Sequence, residues 1–160
     1  MSINCASSDP KASPNTSTPL DPVGTIYERY NSTTQCMEEW IYIKNGEGST
    51  AFAQGTIVAA KTGTVLRTGV IAPTSCAPIR VIGVAQYAIT AGYYGWIMRK
   101  GFGEVLVDTG GVTADTGIIV GDAVAGRADN ASGVTVATIG YTTETITATN
   151  LATCWIDCRG

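Results

Sequence analysis

The chain has 160 residues, charged residues make up only 14% of it, and 19 positions are glycine; ordinary domains run nearer 25% charged and about 7% glycine. Net charge is −3, and Arg99-Lys100 is the only adjacent basic pair, which argues against a nucleic-acid-binding basic face. Histidine is absent, so Ser–His–Asp, Cys–His and histidine–metal chemistry are excluded.

The first 22 residues are built almost wholly from Ser, Thr, Pro, Asn, Asp, Ala and Lys, and they hold Pro10, Pro14, Pro19 and Pro22. No basic start leads into an apolar run, so a secretory signal is not expected, and no run reaches membrane-spanning length. The expectation is a protein made in the cytoplasm without a membrane partner. The stretch has too few apolar side chains to repay its own ordering entropy. It reads as an extended arm, residues 1–22, that orders on a neighbouring subunit. Short strand pairings would alternate there with polyproline-like links at the four prolines.

From residue 23 to 160 the pattern becomes a β body. Thr25–Tyr30 and Glu39–Lys44 are rich in β-branched and aromatic residues, and the second run ends at the turn pair Asn45-Gly46. Thr56–Ala60 and Thr64–Arg67 flank Lys61-Thr62-Gly63 as a hairpin, and Arg80–Ala85 reads as a further strand. Gly95–Arg99 and Gly103–Asp108 flank Lys100-Gly101, which predicts another hairpin with Gly101-Phe102-Gly103 in its turn. Ile118–Val120, Val134–Thr138 and Thr153–Asp157 complete the set. Short helical turns are allowed near Ser49–Gln54 and Thr113–Thr116, but no stretch carries clean helical periodicity. Many short strands separated by turns predict a mainly β fold, a small barrel or sandwich.

Few groups look like chemistry. Asp108-Thr109-Gly110 and Asp115-Thr116-Gly117 both follow the look of an aspartic-protease loop, in which two carboxylates share a proton. Seven residues apart in one chain, they belong to adjacent turns rather than facing lobes, and Asp-x-Gly is ordinary turn chemistry. Of the five cysteines, Cys154 and Cys158 lie on one strand face with Ile156. Free buried thiols are expected there rather than half of a zinc site. No catalytic residue, cofactor or metal is expected. Tyr93, Tyr94 and Trp96 cluster within four positions, and aromatics concentrate at interface centres. With the four arm prolines, they are the candidate partner-binding residues.

Across residues 50–127 the turn-and-strand pattern resembles the small β-barrel head decoration (cement) proteins of tailed bacteriophages. The resemblance rests on Ile82-Gly83-Val84-Ala85, Ile89-Thr90-Ala91-Gly92, Gly95-Trp96-Ile97-Met98, Gly101 and Glu104–Val107. Gly55-Thr56-Ile57-Val58 and Val120-Gly121-Asp122-Ala123 add to it. It implies a non-enzymatic virion protein on the capsid exterior. Its partners would be the major capsid protein and its own copies in a homotrimer, and it would brace the shell against internal pressure. The alternative is a carbohydrate-binding β module of a phage tail or baseplate, which an exposed aromatic groove beside Asp or Asn would favour. The long arm departs from the family pattern.

Overall fold

A computed structural model describes residues 10, 15–63, 68–132 and 137–158. Among these the chain is mainly β, as expected, with ten strands and one short 3-10 turn at Pro78–Arg80. The strands are β1 (Ile26–Asn31), β2 (Cys36–Asn45), β3 (Ile57–Ala60), β4 (Thr68–Ile71) and β5 (Val81–Ala85). They continue as β6 (Tyr94–Leu106), β7 (Gly117–Val120), β8 (Ala128–Asn130), β9 (Gly140–Thr142) and β10 (Leu151–Asp157). Their lateral order is β1-β2-β4-β3-β5-β6-β10-β9-β7-β8, and β6 also pairs back onto β2.

That return closes β2, β4, β3, β5 and β6 into a small barrel. Its interior is filled by Ile41, Ile43, Val58, Ile82 and Ile97, with Phe52 and Ile89 packed against them. Phe52 and Ile89 exchange backbone hydrogen bonds of 2.9 and 3.0 Å. Gly69 lines this interior because no side chain fits: a Cβ there would lie 2.5 Å from Val58 Cγ1. The opposite faces of these strands carry Trp40, Tyr42, Val84, Trp96 and Met98. They share a second, larger core with Val105, Ile118, Val120, Ile139, Cys154 and Ile156 from the C-terminal strands. A parallel bridge from Val107 to Ala128 brings β8 back to the end of β6. Strands β2, β3, β5 and the first half of β6 are thus covered on both sides, which is why they read as continuous apolar runs.

β6 corrects one expectation. Residues 94–106 form a single 13-residue strand rather than a hairpin, and Gly101-Phe102-Gly103 lies within it. A hairpin would need the two halves to pair with each other. Instead the first half pairs with β2 and β5, and the second half pairs with β10. Gly101 sits at the handover with φ 127°, and the register opposite it slips between Glu39 and Trp40. The glycine therefore serves a local bend, a use its type shares with turns.

Other expectations fall nearer the mark. The strands expected over Thr25–Tyr30, Glu39–Lys44, Arg80–Ala85, Ile118–Val120 and Thr153–Asp157 are present within a residue or a few of those bounds. Asn45 ends β2, but no tight hairpin follows. Its buried side chain instead donates to Thr50 O and Ile89 O and accepts from Glu47 N. β3 does pair antiparallel with a returning strand, β4, over Thr68–Ile71; residues 64–67 lie outside the described set. So does most of the expected strand at Val134–Thr138. Ser49–Gln54 holds the Phe52 bridge to Ile89 between a bend and a turn, and Thr113–Thr116 holds a turn; neither is helix.

Candidate functional site

The expected partner-binding residues come together where the N-terminal segment meets the start of β6. Thr16 and Tyr94 exchange backbone hydrogen bonds of 3.1 and 2.9 Å. Asn15 Oδ1 accepts from Thr90 N, and Leu20 N donates to the Tyr42 hydroxyl at 3.0 Å. Asp21 is buried, and Pro22 O accepts from both the backbone and the side chain of Thr25. These bonds fasten residues 15–22 to the body of their own chain. Of the arm expected over 1–22, these residues contact their own barrel, and residues 1–9 and 11–14 lie outside the described set. Backbone pairing repays the ordering of 15–22, where the sequence offered few apolar side chains to do so. Pro19 and Pro22 are exposed along this seam and Pro10 is buried, while Pro14 lies outside the described residues.

Beneath the seam an aromatic stack runs from core to surface. Tyr27 meets Trp96 edge-on at 6.1 Å, Trp96 tilts against Tyr42 at 5.1 Å, and Tyr42 stacks on Tyr94 at 6.4 Å. The Lys44 ammonium lies 5.6 Å from the Tyr94 ring centre. Trp96 is 0% exposed, so it packs the core and offers no surface. Tyr94 is half-buried, and Tyr93 is exposed on the turn closed by its N–H to Thr90 O. The outward candidates are therefore Tyr93, Tyr94, Pro19, Pro22 and the exposed Leu20.

At the far side of the β1–β2 hairpin, the Glu38 carboxylate is fully buried and accepts from Arg29 Nε at 2.8 Å, Trp40 Nε1 at 3.1 Å and Asn31 Nδ2. Burial alone would push its pKa up. The three donors and the Arg29 charge outweigh that and hold it below the usual carboxylate value. This network locks β1 onto β2.

The groups that resemble catalytic motifs have structural partners. Buried Asp108 accepts from the backbone N–H of Thr109 and Val124 at 2.7 and 2.9 Å. Burial raises its pKa, but these backbone bonds, one from Ala123 and the Arg127 charge bring it below normal. Asp115 occupies a turn with φ 58°, its N–H bonded to Thr142 O. Cys154 and Ile156 are buried on one face of β10 and Cys158 just past its end, and burial pushes both thiols up to about 12. Among the described residues no cluster of three His, Cys, Asp or Glu side chains could hold a metal ion.

One surface group was missed in the sequence. Register places Phe102 opposite Trp155 and Trp155 opposite Tyr141, so three aromatics cross β6, β10 and β9 on one face. Reading Phe102 into a turn, and leaving Gly140–Thr142 unassigned, hid the row. The alternations Lys100-x-Phe102-x-Glu104 and Thr153-x-Trp155-x-Asp157 are the signal that could have found it.

No protein-family model matches the chain, and no curated protein matches it in sequence. In three dimensions it is similar to the crystal structure of the N base of head fiber gp8.5 in bacteriophage phi29. The TM-score is 0.52 at 14% identity, and the match covers 74% of this chain and 95% of that one. The likeness defines a shared β architecture.

Proposed function

We propose that this chain is a non-catalytic structural protein of a bacteriophage virion, mounted on the exterior of the head and bound to the major capsid protein. The observation that carries this reading is the fold likeness to the base of a head fiber, which takes in nearly all of that base. The candidate motifs agree with it: Asp108 is bonded to backbone N–H groups, and the Cys154 and Cys158 thiols are buried. In the finer form of the proposal the protein is a decoration protein that braces the shell. It assembles as a homotrimer, with Tyr93, Tyr94 and the exposed Leu20 at or beside the contact. The prolines and polar residues of the N-terminal segment anchor it. Because residues 15–22 are bonded to the barrel, the anchoring role of the arm is tested on the residues that precede them.

The test is a virion carrying the chain without residues 2–14. The truncated protein keeps the Thr16–Tyr94 pairing, so it is expected to unfold at a near-native temperature. Heads should bind less of it and should open at a lower temperature than heads carrying the full chain. Equal binding and equal heat resistance would remove the anchor. Absence of the full chain from purified virions by mass spectrometry would remove the virion role itself.

A further inference from the structure

The row Phe102–Trp155–Tyr141 is built on one face of the sheet, because directly opposed residues of antiparallel strands share a face. Phe102 and Trp155 meet edge to face, 5.1 Å between centres. Beyond Tyr141 the next position across the sheet is Gly117 on β7, covered by the Thr138 methyl, which lies 2.7 Å from where a Cβ would stand. There the row opens into a depression of about 900 Å³, bordered by Pro78 and Ile79. Tyr141 is 41% exposed and Ile79 79% exposed. Of the three tryptophans, Trp40 and Trp96 are completely buried, and Trp155 alone is not.

Polar rows flank the aromatic one on both sides. Lys100 pairs in register with Asp157 on one side, and Glu104 with Thr153 on the other. The Lys100 ammonium leans toward Trp155, 5.9 Å from its ring centre, and Thr153 Oγ1 lies 3.4 Å from Glu104 Oε1. An apolar strip between two hydrogen-bonding margins matches a ligand with an apolar face and a polar rim. A pyranose with equatorial hydroxyls is such a ligand: its axial C–H groups cover the ring faces and its hydroxyls lie round the edge. Neighbouring strands are about 4.8 Å apart, roughly the length of one sugar unit. Successive sugars can thus lie over Trp155 and Tyr141. The two carboxylates accept from hydroxyls, and against the single Lys100 cation they leave the margins net negative, which disfavours acidic sugars.

We propose that the Phe102–Trp155–Tyr141 row is a binding platform for a neutral, equatorially linked oligosaccharide, independent of the head-mounting role. Trp155 and Tyr141 stack under consecutive sugar rings. Asp157 and Glu104 accept from their hydroxyls, and the depression beside Gly117 receives the chain end.

The experiment titrates the full-length protein with chitotetraose, cellotetraose, curved maltotetraose and acidic tetragalacturonate, following heat and tryptophan fluorescence. With Trp40 and Trp96 buried, a fluorescence change on binding reports chiefly on Trp155. Chitotetraose or cellotetraose is expected to bind with a Kd of about 0.1–5 mM. Trp155→Ala and Tyr141→Ala should each weaken binding at least about tenfold, Trp155→Phe should restore part of it, and Tyr30→Ala should change nothing. Circular dichroism checks that each variant is folded. The proposal falls if no probe binds at about 10 mM, if Trp155→Ala binds as the parent does, or if tetragalacturonate binds equally well. It also falls if light scattering shows self-association that Tyr141→Ala abolishes, for the surface then belongs to a second copy.

Discussion

The two halves of β6 put aromatic residues to opposite uses. Before Gly101 the strand runs between two cores, and Trp96 is sealed among Tyr27, Tyr42 and Met98. After Gly101 only one face is covered: Val105 packs inward while Phe102 stays half-buried beside Trp155. The same residue class is thus sealed in the core in one half and lies at the surface in the other. What decides is the number of covered faces, a property of the strand's neighbours. Gly101 marks the border because the partners change there.

The sharpest break of that comparison is Trp96→Ala set against Trp155→Ala. Truncating the buried ring should cost about 3–5 kcal/mol in denaturant unfolding, and truncating the half-exposed one about 1 kcal/mol or less. Equal losses would show that the outer row is part of the core. Next in size is Glu38→Ala. It strands the Trp40 and Asn31 donors and removes the Arg29 ion pair, and should cost about 2–3 kcal/mol. Loosening of β1 should appear as faster amide exchange over Ile26–Asn31.

A third prediction concerns acid. Glu38 and Asp108 both have folded pKa values below their ordinary values of 4.5 and 3.8. A depressed folded pKa gives stability that is fully present above the unfolded value and is lost as pH falls through the folded one. The stability these two groups supply should therefore be full and independent of pH near neutrality, and unfolding free energy should fall steadily below about pH 4.5. Asp108→Asn should flatten that fall. An unchanged acid slope in both variants would contradict the assignment. The smallest effect is chemical. Buried Cys154 and Cys158, with thiols raised to about 12, should resist alkylation at pH 8 while half-buried Cys36 labels first. All five cysteines should label in denaturant without prior reduction, as mass spectrometry would show.

Much of the barrel was legible because its strands are buried on both sides. Glu39–Lys44 and Arg80–Ala85 advertise themselves with unbroken β-branched and aromatic runs. Strands β4, β8 and β9 did not: Thr68–Ile71, Ala128–Asn130 and Gly140–Thr142 are interrupted by Gly69, by Asp129 and Asn130, and by Gly140, whereas the equally short β3 and β7 carry unbroken apolar runs at Ile57–Ala60 and Ile118–Val120. β9 also contains Gly140, held by a close approach to Trp155 O, where a Cβ would come within 2.0 Å. The seam at residues 15–22 escaped for another reason: its bonds to Tyr94 and Tyr42 are made largely by backbone groups, which leave no mark on composition. The aromatic stack around Trp96 was visible as a cluster, but its inward direction was not. The outer row joins residues far apart in sequence, and only strand register brings them together.

The central claim, mounting on a phage head, is tested most directly by adding the purified full-length protein to purified heads of its phage that lack it, followed by gradient sedimentation. A head-mounted protein moves into the head fractions at a fixed, saturable ratio and is displaced by nothing that leaves the shell intact. Protein that stays at the top of the gradient with intact heads would contradict it.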